Sequence, residues 1–305
     1  MRRKLFLSAG ECMLEMATQA NGDFRLGFAG DTLNTAWYAR ACLPRERWDV
    51  AYFTRLGADP YSARMKAFFA ENGLDTRFVS ADPVRQPGLY LIEIADGERS
   101  FTYWRERSAA KLLADDRAAL EEAFAAADIV YFSAITLAIL APERRDVFLD
   151  CVQAARGAGK LTVFDTNIRP SLWESPQAMK GAILRAAGTA AIVLPSYDDE
   201  AASFGDASLE ACAERYHSAG GGTVVVKNGG GPMVVLGEQG FLRFDGFEKV
   251  RPVDTTGAGD SFNGGFLAAI AEGAELGAAV ARGHSVSAQV IMNRGALMPM
   301  DAVER

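Results

Sequence analysis

Histidine is scarce in this sequence and cysteine is scattered. The two histidines, His217 and His284, cannot assemble a metal cluster, and Cys12, Cys42, Cys151 and Cys212 lie far apart without metal-ligand spacing. Thiols spread in this way fit a reducing compartment better than a disulfide framework. No apolar run is long enough to span a bilayer. The start, Arg2-Arg3-Lys4, has the charge of an export signal, but Glu11 interrupts the apolar stretch too early for a signal core. A cytoplasmic location is therefore expected. Positive charge is also in short supply. The formal net charge is −7, which disfavours nucleic acid or an anionic membrane as the main partner. An acidic chain that binds anions has to gather Arg, Lys or backbone N–H groups locally. Two nucleotide motifs are missing as well. No GxxxxGK[ST] loop occurs, and no dinucleotide fingerprint follows the first apolar run. A P-loop kinase and a nicotinamide dehydrogenase are both disfavoured.

What is present is an alternation of short apolar runs with helical patterns over 305 residues. That length suits one large α/β domain with a small appendage, or two modest domains. Strands are expected at Lys4–Ala9, Asp49–Arg55, Ile129–Ser133, Leu161–Asp165, Ala191–Leu194 and Thr223–Lys227. Helices are expected at Thr32–Ala41 (capped near Asp31), Tyr61–Glu71 (ended by Asn72-Gly73), Pro142–Gly157, Pro176–Ala187 and Leu209–Ala219. The pattern implies an α/β fold with a mostly parallel sheet covered by helices on both faces. Two segments break the rhythm. Phe24, Leu26 and Phe28 alternate with small or polar residues. Gly88–Ile94 and Arg99–Trp104 flank Asp96-Gly97, a two-residue hairpin signal. Both faces of the first hairpin strand are apolar: Leu89 and Leu91 on one, Tyr90, Ile92 and Ile94 on the other. One face is expected to cover a ligand and the other to pack on a partner chain or the body of the protein. Without internal repeats or linkers, the sequence suggests a single domain, 1–305, with a small β-sheet lid inserted at about 13–28 and 88–105.

The sharpest chemical signal is Asp254-Thr255-Thr256-Gly257-Ala258-Gly259-Asp260-Ser261-Phe262. Phe262, Phe266 and Ile270 follow at helical spacing, so a helix begins near Gly259. Glycines ahead of a helix let backbone N–H groups converge on an anion, and the helix dipole adds to the attraction. Phosphoryl transfer needs such a hole, and a base beside the attacking hydroxyl. Asp260 is placed to serve. From spacing alone, a tight turn with Asp260 as helix cap fits equally well.

With these residues in view, the chain resembles the ribokinase-like (PfkB) sugar kinases, whose signature is the DTTGAGDSF segment. The resemblance runs from Gly10-Glu11-Cys12-Met13 and Gly30-Asp31-Thr32-Leu33-Asn34-Thr35, through Pro87-Gly88-Leu89-Tyr90 and Phe101-Thr102-Tyr103-Trp104-Arg105, to Ser133–Leu140 and Phe164-Asp165-Thr166-Asn167-Ile168-Arg169-Pro170. The YWR and NxRP segments narrow it to members acting on a 2-keto-3-deoxy sugar acid. The resemblance implies a ribokinase-like fold with a β lid, ATP and Mg²⁺ as co-substrates with a monovalent cation as a further candidate, and phosphorylation at O6. It implies Asp260 as base, and Gly257, Ala258 and Gly259 as the anion hole. The sugar is then bound by Gly30, Asp31, Thr32, Leu33, Asn34, Tyr90, Tyr103, Trp104, Arg105 and Arg169. ATP is bound by Asn167, Arg169, Lys227, Asn228, Gly229, Gly230 and the Gly257–Asp260 segment.

Charge agrees with an acidic sugar as the small-molecule partner, since Arg105 and Arg169 offer permanently charged planar donors for a carboxylate. Solvated surface arginines, lid packing by the aromatics, and a simple helix cap at Asp31 remain open readings of the residues themselves. Two places depart from the family pattern. In Lys227-Asn228-Gly229-Gly230-Gly231-Pro232, proline stands where a last glycine is expected and offers no N–H. The Asn-x-x-Glu element falls on Ser196-Tyr197-Asp198-Asp199, so no direct protein ligand to the metal is expected, and Asp199 and Glu200 are candidates only through water. A fructose or ribose-like kinase and a non-catalytic sugar or nucleotide sensor on the same fold are the competing functions. Two apolar lid faces also imply a homo-oligomer.

Overall fold

The apolar runs become strands of one buried sheet, and the two irregular segments become a second, smaller one. The computed structural model describes residues 2–304 apart from 20, 96, 97 and 248. Among the described residues the strands are Lys4–Ala9 (β1), Met13–Thr18 (β2), Phe24–Ala29 (β3), Trp48–Gly57 (β4), Val79–Asp82 (β5), Leu89–Ala95 (β6), Glu98–Trp104 (β7), Ile129–Ser133 (β8), Leu161–Asp165 (β9), Ile192–Leu194 (β10), Thr223–Val226 (β11), Met233–Gly237 (β12) and Gly240–Phe244 (β13). The helices are Asp31–Cys42 (α1), Pro60–Glu71 (α2), Arg117–Ala126 (α3), Ala134–Ala138 (α4), Pro142–Gly157 (α5), Pro176–Thr189 (α6), Tyr197–Phe204 (α7), Leu209–Ser218 (α8), Ala258–Ala271 (α9) and Leu276–Val290 (α10).

The nine-stranded sheet runs β13-β12-β11-β10-β9-β8-β1-β4-β5. It is parallel from β11 to β5, and the β11–β12 and β12–β13 pairs are antiparallel. Its central strands are apolar on both faces because helices cover both. Leu7, Phe132 and Phe164 face one helical layer, and Phe6, Tyr52 and Tyr131 the other. The expected strands and helices are all present, with ends shifted by a residue or two. One shift matters: α1 starts at Asp31, and Gly30, not Asp31, occupies the cap position without a side-chain cap bond. Asp31 is thereby free to face the site.

The lid sheet runs β3-β2-β6-β7. In register, Tyr90 faces Tyr103 and Leu89 faces Trp104. The turn expected at Asp96-Gly97 lies outside the described residues. Strand alternation puts Met13, Tyr90, Phe101, Tyr103 and Arg105 on the side of a cavity. It puts Leu14, Phe28, Leu89 and Leu91 on the other side, where Phe28 meets Phe68 of α2 with ring centroids 5.2 Å apart. Of the two coverings expected for this face, Leu89 takes the body of the protein. It packs with Leu26 and Phe28 on the body of its own chain, so the outer face is partly covered without a partner.

Helix α9 is wedged between α1 and α10, and glycines set the distance. A Cβ on Gly264 would lie 2.6 Å from Tyr38 Cβ and 2.9 Å from the Ala39 nitrogen, and one on Gly265 would lie 2.7 Å from Val286 Cγ2. Overpacking at such a contact costs about 1–3 kcal/mol. Gly264→Ala is therefore expected to lower Tm in a thermal melt. Gly181→Ala, in α6 with open space around it, is expected to raise stability by up to about 1 kcal/mol, the helical preference for Ala over Gly. Equal shifts for the two would remove close helix packing as the reason for Gly264.

Candidate active site

The side chains of the site leave the carboxyl ends of neighbouring parallel strands, the edge at which open α/β sheets bind ligands. Glu11 follows β1, Asp165 ends β9 with Asn167 just beyond, Ser196 follows β10 and Lys227 follows β11. Two cavities lie along this edge. The first, about 660 Å³, is roofed by Tyr90, Phe101, Tyr103 and Arg105 of the lid and floored by Gly30, Asp31, Asn34 and Asp260. The second, about 740 Å³, is lined by Asn228 to Gly231, Lys249, Phe262 and His284. They meet where Ser196, Asp199, Lys227, Thr255, Ala258 and Gly259 line both.

The junction is the N-terminus of α9. Asp254 holds the approach to it by accepting from the Thr256 N–H at 3.0 Å, the Thr256 hydroxyl at 2.7 Å and the Gly295 N–H at 2.6 Å. Gly257 then takes φ 77°, where a Cβ would lie 3.0 Å from the Ala296 carbonyl oxygen. A side chain there would be both strained and crowded. First-turn N–H groups have no acceptor within a helix, so those of Gly259 and Asp260 face the junction together with the positive end of the dipole.

Below this turn lies a buried polar network. Lys227 Nζ bonds Asp165 Oδ1 at 3.2 Å and Asn263 Oδ1 at 3.1 Å. Asn263 donates to Asp165 Oδ2 at 2.8 Å and to the Tyr131 hydroxyl at 3.1 Å. Thr35 of α1 donates to the same hydroxyl. The Asp260 carboxylate accepts from Asn34 Nδ2 at 2.8 Å. Burial and then the nearby charge of Asp31 push the Asp260 pKa up to about 7, with Asp165 adding to the rise and Asn34 and Lys227 opposing it. A carboxylate at that value can take a proton near neutral pH. Burial likewise raises Asp31, against hydrogen bonds from Ser133 and Asn167.

Of the residues expected from sequence, Gly30, Asp31, Asn34, Tyr90, Tyr103, Arg105, Asn167, Arg169, Lys227, Gly257, Ala258, Gly259 and Asp260 line the first cavity. Asn228, Gly229 and Gly230 line the second. Four do not come to either. The helical turn rotates Thr32 and Leu33 away from Asp31 and Asn34. Leu33 is buried in the core, and the Thr32 hydroxyl bonds that of Tyr52 at 2.9 Å. Trp104 falls on the far face of the lid, because neighbours on a strand point to opposite faces, and it is 56% exposed. Glu200 is fully buried against Arg215 and the Tyr216 hydroxyl at 2.9 and 2.7 Å, so it does not face either cavity. Asp199 does line both cavities.

Asn167 lines the first cavity and not the second. It donates to Asp31 at 2.9 Å and lies close in sequence to Arg169, which also lines only the first cavity. Both arginines already have acidic neighbours: Arg105 pairs with buried Glu11, and Arg169 lies 3.5 Å from Asp199. Pro232 stands outside the second cavity. The loop before it is closed by the Gly231 N–H on the Asn228 carbonyl at 2.8 Å, so the missing proline N–H falls after the turn. Sequence reasoning gave no role to Glu11, Asp165 or Asn263. The one signal was an acidic residue ending an apolar strand and an amide on the apolar side of α9.

Residues 7–302 match the description "pfkB family carbohydrate kinase". The chain belongs to the PfkB family of carbohydrate kinases. It is 36% identical over 300 residues to a 2-dehydro-3-deoxygluconokinase of Dickeya dadantii, covering 96% of each chain, and 37% identical to that of Escherichia coli K12, covering 96% of this chain and 97% of the other. A crystal structure of a PfkB protein from Polaromonas sp. JS666 superposes with a TM-score of 0.80 at 28% identity, covering 95% of this chain and 96% of that one. The kinase thus has the α/β ribokinase-like fold, with the four-stranded lid as its small second sheet.

The geometry makes two measurable claims. Asp260→Asn is expected to keep the fold and lower kcat by about 10² or more, the scale of a general base. In the native kinase, kcat/KM is expected to rise with pH through a limb near 7, as the Asp260–Asp31 pair loses the proton that blocks the base. Asp31→Asn removes a charge that raises Asp260, so the limb moves to lower pH. A limb unmoved in Asp31→Asn would detach it from Asp260.

Proposed function

We propose that this PfkB kinase transfers the γ-phosphoryl group of ATP to O6 of 2-keto-3-deoxygluconate, giving 2-keto-3-deoxy-6-phosphogluconate. The observation that carries the reading is the meeting of two cavities at the start of α9, with Asp260 in the wall of the cavity that also holds Arg105 and Arg169. The identity to 2-dehydro-3-deoxygluconokinases supports the choice of sugar.

In this reading the sugar acid lies under the lid with O6 toward Asp260, which accepts the hydroxyl proton as the phosphoryl group arrives. ATP lies in the second cavity along Asn228, Gly229 and Gly230, with its phosphates reaching the junction. The N–H groups of Gly259 and Asp260 stabilise the charge on the transferred group, while that of Ala258 donates to the Thr255 carbonyl at 3.2 Å. Lys227 stands at the junction, held in place by Asp165 and Asn263. Mg²⁺ neutralises phosphate charge in such reactions. It typically binds through one or two carboxylates together with phosphate and water, and the half-exposed Asp199 carboxylate at the junction fits that donor set. The scattered free thiols agree with a cytoplasmic location.

Arg105 and Arg169 are proposed to hold the substrate carboxylate. Charge-assisted hydrogen bonds of roughly 1.5–3 kcal/mol are then at stake. Arg105→Ala is expected to raise KM for the keto-acid far more than for ATP. A coupled assay across acidic and neutral sugars, with mass spectrometry of the product, tests the substrate. Preferred turnover of fructose or ribose would overturn the sugar-acid reading, and no turnover of any sugar would favour a sensor.

The lid is further proposed to pair with a second copy. Leu91 is half-buried and Trp104 exposed on the face away from the sugar. Leu91→Asp is expected to weaken association and raise KM for the sugar together. A native protein that sediments as a monomer at micromolar concentration with full activity would end the pairing proposal.

A further inference from the structure

The floor of the lid cavity contains an acidic residue with no part in the chemistry so far. Glu11 follows β1, lines the cavity and is 2% exposed. Its Oε2 accepts from Arg105 Nη2. Its Oε1 is buried and has no hydrogen-bond partner. A buried carboxylate oxygen left unpaired is costly, and the cost is removed when a donor arrives.

The backbone around Glu11 is shaped to keep this space. A Cβ on Gly88 would lie 3.1 Å from Glu11 Oε1 and 3.0 Å from both Met13 Cγ and Arg105 Cβ. A Cβ on Gly30 would lie 2.2 Å from the Glu11 carbonyl oxygen. Gly88 therefore brings the lid close to the carboxylate, and Gly30 brings the start of α1 against the Glu11 main chain. Of the other acidic groups of the cavity, Glu106 is exposed to solvent, and the remaining four are engaged differently. Asp165 is bonded by Lys227 and Asn263, Asp31 by Asn167, Asp260 by Asn34, and Asp199 lies beside Arg169.

We propose that Glu11 is a specificity-determining residue: Oε2 fixes the Arg105 guanidinium, and Oε1 accepts a hydrogen bond from a secondary hydroxyl of the sugar. The proposal rests on the sugar-acid reading of the cavity. A carboxylate cannot donate, so the acid group of the substrate is repelled from Glu11 and takes the remaining N–H donors of Arg105. A hydroxyl can donate, so it is drawn to Oε1. The pair thereby sorts the two kinds of oxygen on one ligand and fixes which way round the sugar lies, with its far end at Asp260. Glu11 also keeps Arg105 from collecting small anions when no sugar is bound, because its charge is already matched.

The test crosses protein and substrate changes. Native kinase and Glu11→Gln are assayed with 2-keto-3-deoxygluconate and with its 4-deoxy and 5-deoxy analogues. For the native protein, removal of one of the two hydroxyls is expected to lower kcat/KM on the order of 10- to 100-fold, the range for a hydrogen bond to a charged group. In Glu11→Gln that penalty is expected to shrink to a few-fold, while KM for ATP is unchanged. Penalties of equal size in both proteins overturn the proposal and leave Glu11 as a holder of Arg105 alone. Should Glu11→Gln fail to fold because Arg105 loses its counter-charge, Glu11→Gln combined with Arg105→Met removes both charges, and the same two penalties are read there by ligand-induced shifts in Tm. If the native kinase does not accept the keto-acid, the substrate reading fails by itself. The sugar found by the panel and its deoxy analogues then decide the role of Glu11 by the same comparison.

Discussion

The arrangement depends most on the buried Lys227–Asp165 ion pair and the amide of Asn263 that joins it. Lys227 follows β11, Asp165 ends β9 and Asn263 lies in the second turn of α9. Their bonds fix the second turn of α9, and with it the N-terminal end of the helix, to the edge of the sheet. Charges taken out of water in this way are tolerated only when their partners are complete. Here Asp165 has Lys227, Asn263 and Tyr131 around it. Removing one member would leave another buried and unmatched, so the network holds its geometry closely. Asp260 is carried on the preceding turn, and its position relative to the junction of the cavities is inherited from this lock.

The same network explains how an acidic protein makes room for anions. Each cation that lines the lid cavity has an acidic neighbour: Lys227 with Asp165, Arg105 with Glu11, Arg169 with Asp199. Attraction for an anion at the junction therefore comes largely from backbone dipoles at the start of α9, working against the Asp260 carboxylate on the same turn. The surplus of carboxylates has a second effect. Burial first, and then Asp31 and Asp165, raise Asp260, so negative charge crowded near this carboxylate adds to its affinity for a proton. A site with free cations in place of these pairs would lower that affinity, and with it the strength of Asp260 in its proposed role as base.

Much of this was legible in the sequence, for identifiable reasons. The alternation of apolar runs and helical patterns gave the sheet, and the glycine segment 257–259 placed Asp260 at a helix start, because both signals are local. The partners that matter most are not local. Glu11 and Arg105 are 94 residues apart, Asp165 and Lys227 are 62, and Asn34 and Asp260 are 226. Nothing in the spacing of one member announces the other. Runs of neighbouring residues misled for the opposite reason. Thr32 and Leu33 were grouped with Asp31 and Asn34, and Trp104 with Tyr103 and Arg105, although helix and strand periodicity send adjacent side chains in different directions.

The lid joins the two halves of this picture. Its inner face supplies Tyr90, Tyr103 and Arg105, and its outer face leans on α2 through Phe28 and Phe68. It is therefore attached to the body at one side and open at the other, where Tyr103 and Phe101 stay half exposed. Apolar groups left in water above a polar floor favour any ligand that covers them, since burying one large side chain is worth roughly 1.5–3 kcal/mol. In the proposed function, a sugar provides that cover when its polar groups are matched underneath, by Asp31, Asn34 and Asp260 on the sheet edge and by Arg105 of the lid. Closure and recognition are then one event. On that proposal the lid gains burial only over a ligand that the sheet edge can satisfy, and water is excluded when the hydroxyl to be phosphorylated is beside Asp260.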